Sequence, residues 1–216
     1  MALLLLDLDD TLADREAAFL AWARDRVREW APTDPDAVAY LVERDSDGIR
    51  PRPELFAAIV ARFGLQRPVE TLLAEYRRQL VAAFPAVPDD VIARVRALRV
   101  GGWRVAVVTN GDAHAQRAKL EHLGLPALLD ALCISGELGI RKPDPRIFEV
   151  AAARCGEELD GAWMVGDAEA DILGARHAGI RSVWLHRGRT WPRSDVRPDH
   201  IAGGLLEALA LLDAPV

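Results

Sequence analysis

The chain has 216 residues, half of them apolar, enough for one full core and a small second module. A formal charge of -6 and a pI near 5.4 exclude a broad nucleic-acid-binding face, which needs basic residues to displace counterions. No apolar run approaches the roughly 20 residues of a membrane helix. The two cysteines, Cys133 and Cys155, lack CxxC spacing and indicate neither a disulfide framework nor a zinc site, so a cytoplasmic setting is expected.

The opening MALLLLDLDDTL has no basic n-region and is interrupted by Asp7, so it reads as a buried strand and not as a signal peptide. Four further strand-like runs follow, at 103–109, 132–135, 162–166 and 180–186. Helical patterns separate them. Pro88, Asp89 and Asp90 suit the start of one and Gly101-Gly102 its end, with Val91, Val95 and Leu98 on one face. Others over 113–123 and 168–178 stop at Gly124 and Gly179. Short apolar runs alternating with helices predict an α/β fold, a doubly wound parallel sheet covered on both faces.

Residues 14–84 break the alternation with helical patterns only, near 14–30, 36–44, 53–63 and 69–83. A crossover between parallel strands needs a dozen or so residues, so about seventy form an inserted helical module. The expected organisation is a core from 1–13 and 85–216, with a helical insert over 14–84. The stretch 45–53 is rich in turn formers and reads as a loop.

Chemistry-bearing residues fall at the strand ends, where an open parallel sheet binds its ligands. Asp7 and Asp9 close the first strand, and alternation puts them on one side of the emerging chain. Two such carboxylates call for a cation between them, and Mg²⁺ is the usual hard, oxygen-seeking choice. The second strand ends in Thr109-Asn110-Gly111-Asp112, a hydroxyl and turn amides suited to phosphate. The third leads to Lys142 beside Pro143, in a stiff turn that can fix an ammonium. The fourth ends in Asp167 and Asp171, which share a helical face if a helix starts at once.

This ordered set resembles the haloacid dehalogenase superfamily. DLDDT matches its first motif, VVTNG its second, the lysine of RKPDP its third and GDAEAD its fourth, and the segment 199–212 looks like the family's last short strand and helix. The insert resembles the small helical cap of the first subfamily. One departure is Asp10, where many members carry glycine.

The resemblance implies a Mg²⁺-dependent phosphatase acting on a small phosphorylated metabolite, with neither nucleic acid nor membrane as partner. Asp7 would attack phosphorus and become an aspartyl-phosphate. Asp9 would protonate the leaving oxygen and later deprotonate water. Mg²⁺ would be held by the Asp7 side chain, the Asp9 backbone carbonyl and Asp167, with Asp171 gripping it through water. Thr109, Asn110, Gly111 and Lys142 would hold the phosphoryl oxygens, and Lys142 would offset charge on Asp7.

Asp9 argues against the metal-free 2-haloacid dehalogenases, which lack an acid there because halide leaves unprotonated. A sugar phosphomutase shares this chemistry and is the nearer alternative. A phospho-signalling receiver would lack the insert. In small-capped relatives a cap loop faces the nucleophile. By that resemblance Arg50 and Arg52 are candidates to clamp a second anionic group. The competing expectation is that both are solvated and balance Asp45 and Asp47.

Overall fold

The computed structural model describes residues 2–46, 48 and 50–213. The chain forms two compact units, one built from the segment up to Ala13 together with Ala86 onward, the other from Asp14–Pro85.

The first unit is a six-stranded parallel sheet. Its strands are β1 (Leu3–Leu6), β2 (Arg104–Thr109), β3 (Ala131–Ile134), β4 (Trp163–Gly166), β5 (Arg181–Leu185) and β6 (His200–Ala202), in the order β3-β2-β1-β4-β5-β6. Every pairing is parallel, with Leu5 opposite Ala106 on one side and Met164 on the other. The four leucines of β1 are all buried, as a strand covered on both faces requires. Leu3 and Leu5 share a core with Phe148 and Ala151 of α8 (Arg146–Cys155), a helix not singled out by the sequence pattern. Val91, Val95 and Leu98 of α5 (Asp89–Val100) are buried as predicted.

β1 is shorter than its apolar run because the chain turns back on itself. The Leu8 carbonyl accepts from the N–H groups of Thr11, Leu12 and Ala13 at 3.3, 3.0 and 2.8 Å. Within that turn Asp10 adopts a left-handed backbone with φ of 59°. Glycine takes that conformation freely and Asp tolerates it, which explains the departure at this position. The order of strands reverses about β1: the chain builds outward through β2 and β3, then crosses to β4 on the other side. That switch point opens a crevice beyond the carboxyl ends of β1 and β4.

The second unit holds α1 (Arg15–Trp30), α2 (Ala37–Asp45), α3 (Arg52–Phe63) and α4 (Val69–Ala83). Trp22 anchors its core, with ring centroids 4.8 Å from Tyr76 and 5.9 Å from Phe56, and its indole N–H donates to Gln79 at 3.1 Å. The predicted loop over 45–53 is shorter than its composition suggested. Asp45 ends α2 and Arg52 begins α3, where Pro53 sits in the first turn, a position that lacks an intrahelical acceptor for its N–H anyway. Asp47 lies outside the described residues. Among those described, no helix is long and apolar enough to cross a membrane.

Candidate active site

Asp7 follows directly on β1 and its N–H donates to the Val165 carbonyl of β4 at 2.9 Å, which fixes it at the switch point. Its side chain meets Lys142, whose Nζ lies 2.5 Å from Asp7 Oδ1, 2.6 Å from Asp171 Oδ1 and 2.6 Å from the Val108 carbonyl. Lys142 is only 3% exposed, so a solvated surface role is excluded. It is held there by Asn110, whose side-chain amide donates to the Lys142 carbonyl at 3.0 Å and whose side-chain oxygen accepts from the Lys142 N–H at 2.9 Å. Two amide–backbone bonds thus lock the loop after β3 to the end of β2.

Asp167 follows β4, and α9 (Glu169–His177) begins two residues later. Asp167 therefore precedes the helix and does not share its face with Asp171, as the sequence spacing had suggested. The pair meets through the turn. Asp171, fully buried, also accepts at Oδ2 from the Ala168 N–H at 3.0 Å and so caps α9. Gly166 is required here, because a Cβ would collide with the Asp171 carboxylate. Asp7, Asp167 and Asp171 each bring a carboxylate oxygen within 4.8 Å of the others.

Electrostatics report how uncomfortable this gathering is. Burial raises the Asp7 carboxyl to about 8, with Asp171 and Asp167 adding to the rise and Lys142 opposing it. Burial and then Asp171 raise Asp167 to about 6, against the pull of Arg189. Burial works against the charge on Lys142 too, but Asp171 and Asp7 outweigh it and hold the ammonium above its usual range. Lys142 beside Asp7 and Asp171, and Arg189 beside Asp167, set two cations against three acids, which leaves an excess of negative charge. An all-oxygen donor set with that excess fits a hard divalent cation such as Mg²⁺.

The remaining expected residues take different places. The Asp9 carboxylate is not in the acidic cluster. With β1 ending at Leu6 the alternation stops, and Asp9 turns instead to α6 (Ala113–His122), where Lys119 Nζ lies 2.6 and 2.7 Å from its two oxygens. The cation beside the Asp9 side chain is thus a lysine. Gln116 donates to Asp9 Oδ2 at 3.0 Å and to Thr109 Oγ1 at 2.7 Å. The buried Thr109 hydroxyl accepts there and keeps its own hydrogen to donate. The Gly111 N–H donates to Ser135 Oγ at 3.0 Å, and the Asn110 side chain holds the Lys142 backbone.

Arg50 and Arg52 belong to the second unit. The competing expectation holds for Arg52 in that it balances Asp45, although that pair is not fully solvated. Asp45 is 2% exposed and pairs with both Arg52 and Arg15, the latter at 2.5 Å, while the Arg52 guanidinium also lies over Tyr76. Arg50 Nε is buried and has no hydrogen-bond partner among the described residues.

Four residues with site contacts have no motif signature: Gln116, Lys119, Arg187 and Arg189. Arg189 donates to Asp167 Oδ2 at 2.9 Å and to its carbonyl at 2.8 Å, and Arg187 pairs with Asp10 Oδ2 at 3.2 Å. The one available signal was on α6, where Gln116 and Lys119 recur three apart on the face of buried Leu120.

A parallel sheet whose consecutive strand ends bring carboxylates, a hydroxyl and a buried lysine to one crevice has the architecture of an α/β enzyme. The chain belongs to the haloacid dehalogenase-like hydrolase family, whose model matches residues 1–179. It is 39% identical over 141 residues to a phosphoserine phosphatase of Thermus thermophilus, a match covering 62% of this chain and 56% of that protein. It is 34% identical over 173 residues to a glyceraldehyde 3-phosphate phosphatase of Methanopyrus kandleri, covering 78% of this chain and 67% of that one. Magnesium-bound HAD-hydrolase YfnB from Bacillus subtilis superposes with a TM-score of 0.82 at 23% identity over 99% of both chains, which establishes the shared fold.

Proposed function

We propose that this hydrolase is a Mg²⁺-dependent phosphatase that hydrolyses a small phosphate monoester through an aspartyl-phosphate on Asp7. The observation that carries this is the buried Asp7 carboxylate, held by Lys142 at the switch point and grouped with Asp167 and Asp171. Relatives named as phosphatases of small metabolites support it.

One Asp7 oxygen bonds to phosphorus as the ester P–O bond breaks, and Asp9 gives a proton to the departing oxygen. Water then bonds to phosphorus, the P–O bond to Asp7 breaks, and Asp9 takes the water's proton. Lys142 faces the phosphoryl oxygens beside Asp7, and the Thr109 hydroxyl donates to another of them. Asp7, Asp167 and the Asp9 carbonyl would hold Mg²⁺, with Asp171 behind them, committed to Lys142 and to capping α9. The ion supplies neutralisation of the charge that gathers on the transferring group.

For Arg50 and Arg52 the support is unequal. Arg52 is committed to Asp45 and Tyr76, whereas Arg50 Nε has no partner among the described residues, which makes Arg50 the better candidate to bind a second anionic group. A panel of phosphate esters assayed with and without Mg²⁺ tests the proposal. Hydrolysis that depends on Mg²⁺ supports it, and chloride release from a 2-haloacid in chelator would overturn it.

A further inference from the structure

Asp9 has to present one oxygen along the line of the breaking bond, yet a carboxylate on a turn can swing freely. Here it cannot. Lys119 bonds both its oxygens and Gln116 a third time to Oδ2, so any rotation of the Asp9 side chain breaks several contacts together. We propose that Lys119 and Gln116 are positioning residues that set the orientation of Asp9 and tie it to Thr109, an inference that rests on the phosphatase function above.

Two observations point beyond a structural role. A lysine is seldom buried unless paired, and Lys119 is 7% exposed, while its partner side chain is 25% exposed. Asp9 would therefore be hydrated without Lys119, so the pair does more to orient the carboxylate than to hold the core. The second is the Gln116 side-chain amide, which bridges Asp9 Oδ2 and Thr109 Oγ1. It fixes the spacing between the group that moves protons and the hydroxyl that holds a phosphoryl oxygen. Both residues come from one rigid helix, capped by Asp112, whose side chain accepts from the Ala115 N–H at 3.0 Å.

The test compares esters that differ in their need for an acid. Lys119→Met should lower kcat/KM for an alkyl phosphate by about tenfold to a hundredfold. For p-nitrophenyl phosphate the loss should stay under about threefold, because the nitrophenolate departs without a proton. Lys119→Arg should recover part of the alkyl phosphate activity. In an Asp9→Asn background Lys119→Met should change kcat/KM no further, since the two act through one group. Should Lys119→Met melt below the assay temperature, Lys119→Gln makes the same comparison. Equal losses on both esters, or full additivity with Asp9→Asn, would overturn the inference while leaving the phosphatase function standing. A wild-type protein inert towards both esters with Mg²⁺ would instead remove the phosphatase function itself.

Discussion

Replacing Lys142 by Met keeps the chain length and removes the one ammonium shared by Asp7, Asp171 and the Val108 carbonyl. Truncating one partner of a buried ion pair costs about 3–5 kcal/mol, because the other charge stays buried without compensation. For a chain of this size about 1 kcal/mol corresponds to roughly 2–4 °C. The melting temperature in EDTA at pH 8 should therefore fall by about 6–20 °C. The loss should depend on pH. Asp7, raised to about 8 even beside Lys142, is about half-ionised at pH 8 and carries a proton at pH 5, so the ammonium faces less negative charge at pH 5 and its removal should cost less there. Differential scanning fluorimetry of both proteins in EDTA at the two pH values reads this directly. A shift under about 2 °C at pH 8, or equal shifts at both, would refute the electrostatic account of this lysine.

Wild-type stability should itself fall with pH in chelator. The folded pKa of Asp7 is about 8 and that of Asp167 about 6, both above the ordinary aspartate value of 3.8. The folded protein thus holds extra protons, and stability present below pH 4 is lost as pH rises through 6 and 8. Mg²⁺ should flatten that slope, and a melting temperature that rises from pH 5 to pH 8 in EDTA would contradict it. Asp167→Ala should sharply raise the Mg²⁺ concentration needed for half-maximal activity, and an unchanged requirement would remove Asp167 from the metal site. Asp9→Asn should fold and bind Mg²⁺ by calorimetry while turnover of an alkyl phosphate drops by roughly two to four orders of magnitude; lost metal affinity with intact chemistry would reverse its role.

Much of the core was legible because buried parallel strands are continuous apolar runs. Leu3–Leu6 and the strand ending at Thr109 could hardly be anything else. Acids and a lysine at successive strand ends then defined the crevice before any distance was known. Partners contributed by helices were not legible. Lys119 and Gln116 look like ordinary polar residues of a surface helix, and only the turn after Leu6 decides that Asp9 faces them. The hydrogen bonds of Asn110 and Gly111 were equally hidden, since whether a turn amide serves a ligand or a neighbouring Ser135 depends on the packing of two loops. In the helical unit, turn-forming residues around Pro51 and Pro53 masked the start of α3, because proline suits a first helical turn as well as a loop.

The central claim is that Asp7 becomes covalently phosphorylated. Asp9→Asn should still accept a phosphoryl group from p-nitrophenyl phosphate, whose leaving group needs no acid, but should hydrolyse the intermediate slowly. Acid quenching of that variant with Mg²⁺, followed by peptide mass spectrometry, should find phosphate on the peptide at Asp7 and none in EDTA or in the Asp7→Asn protein. Phosphate on another residue, or an Asp7→Asn protein that turns over within about tenfold of wild type, would contradict the account.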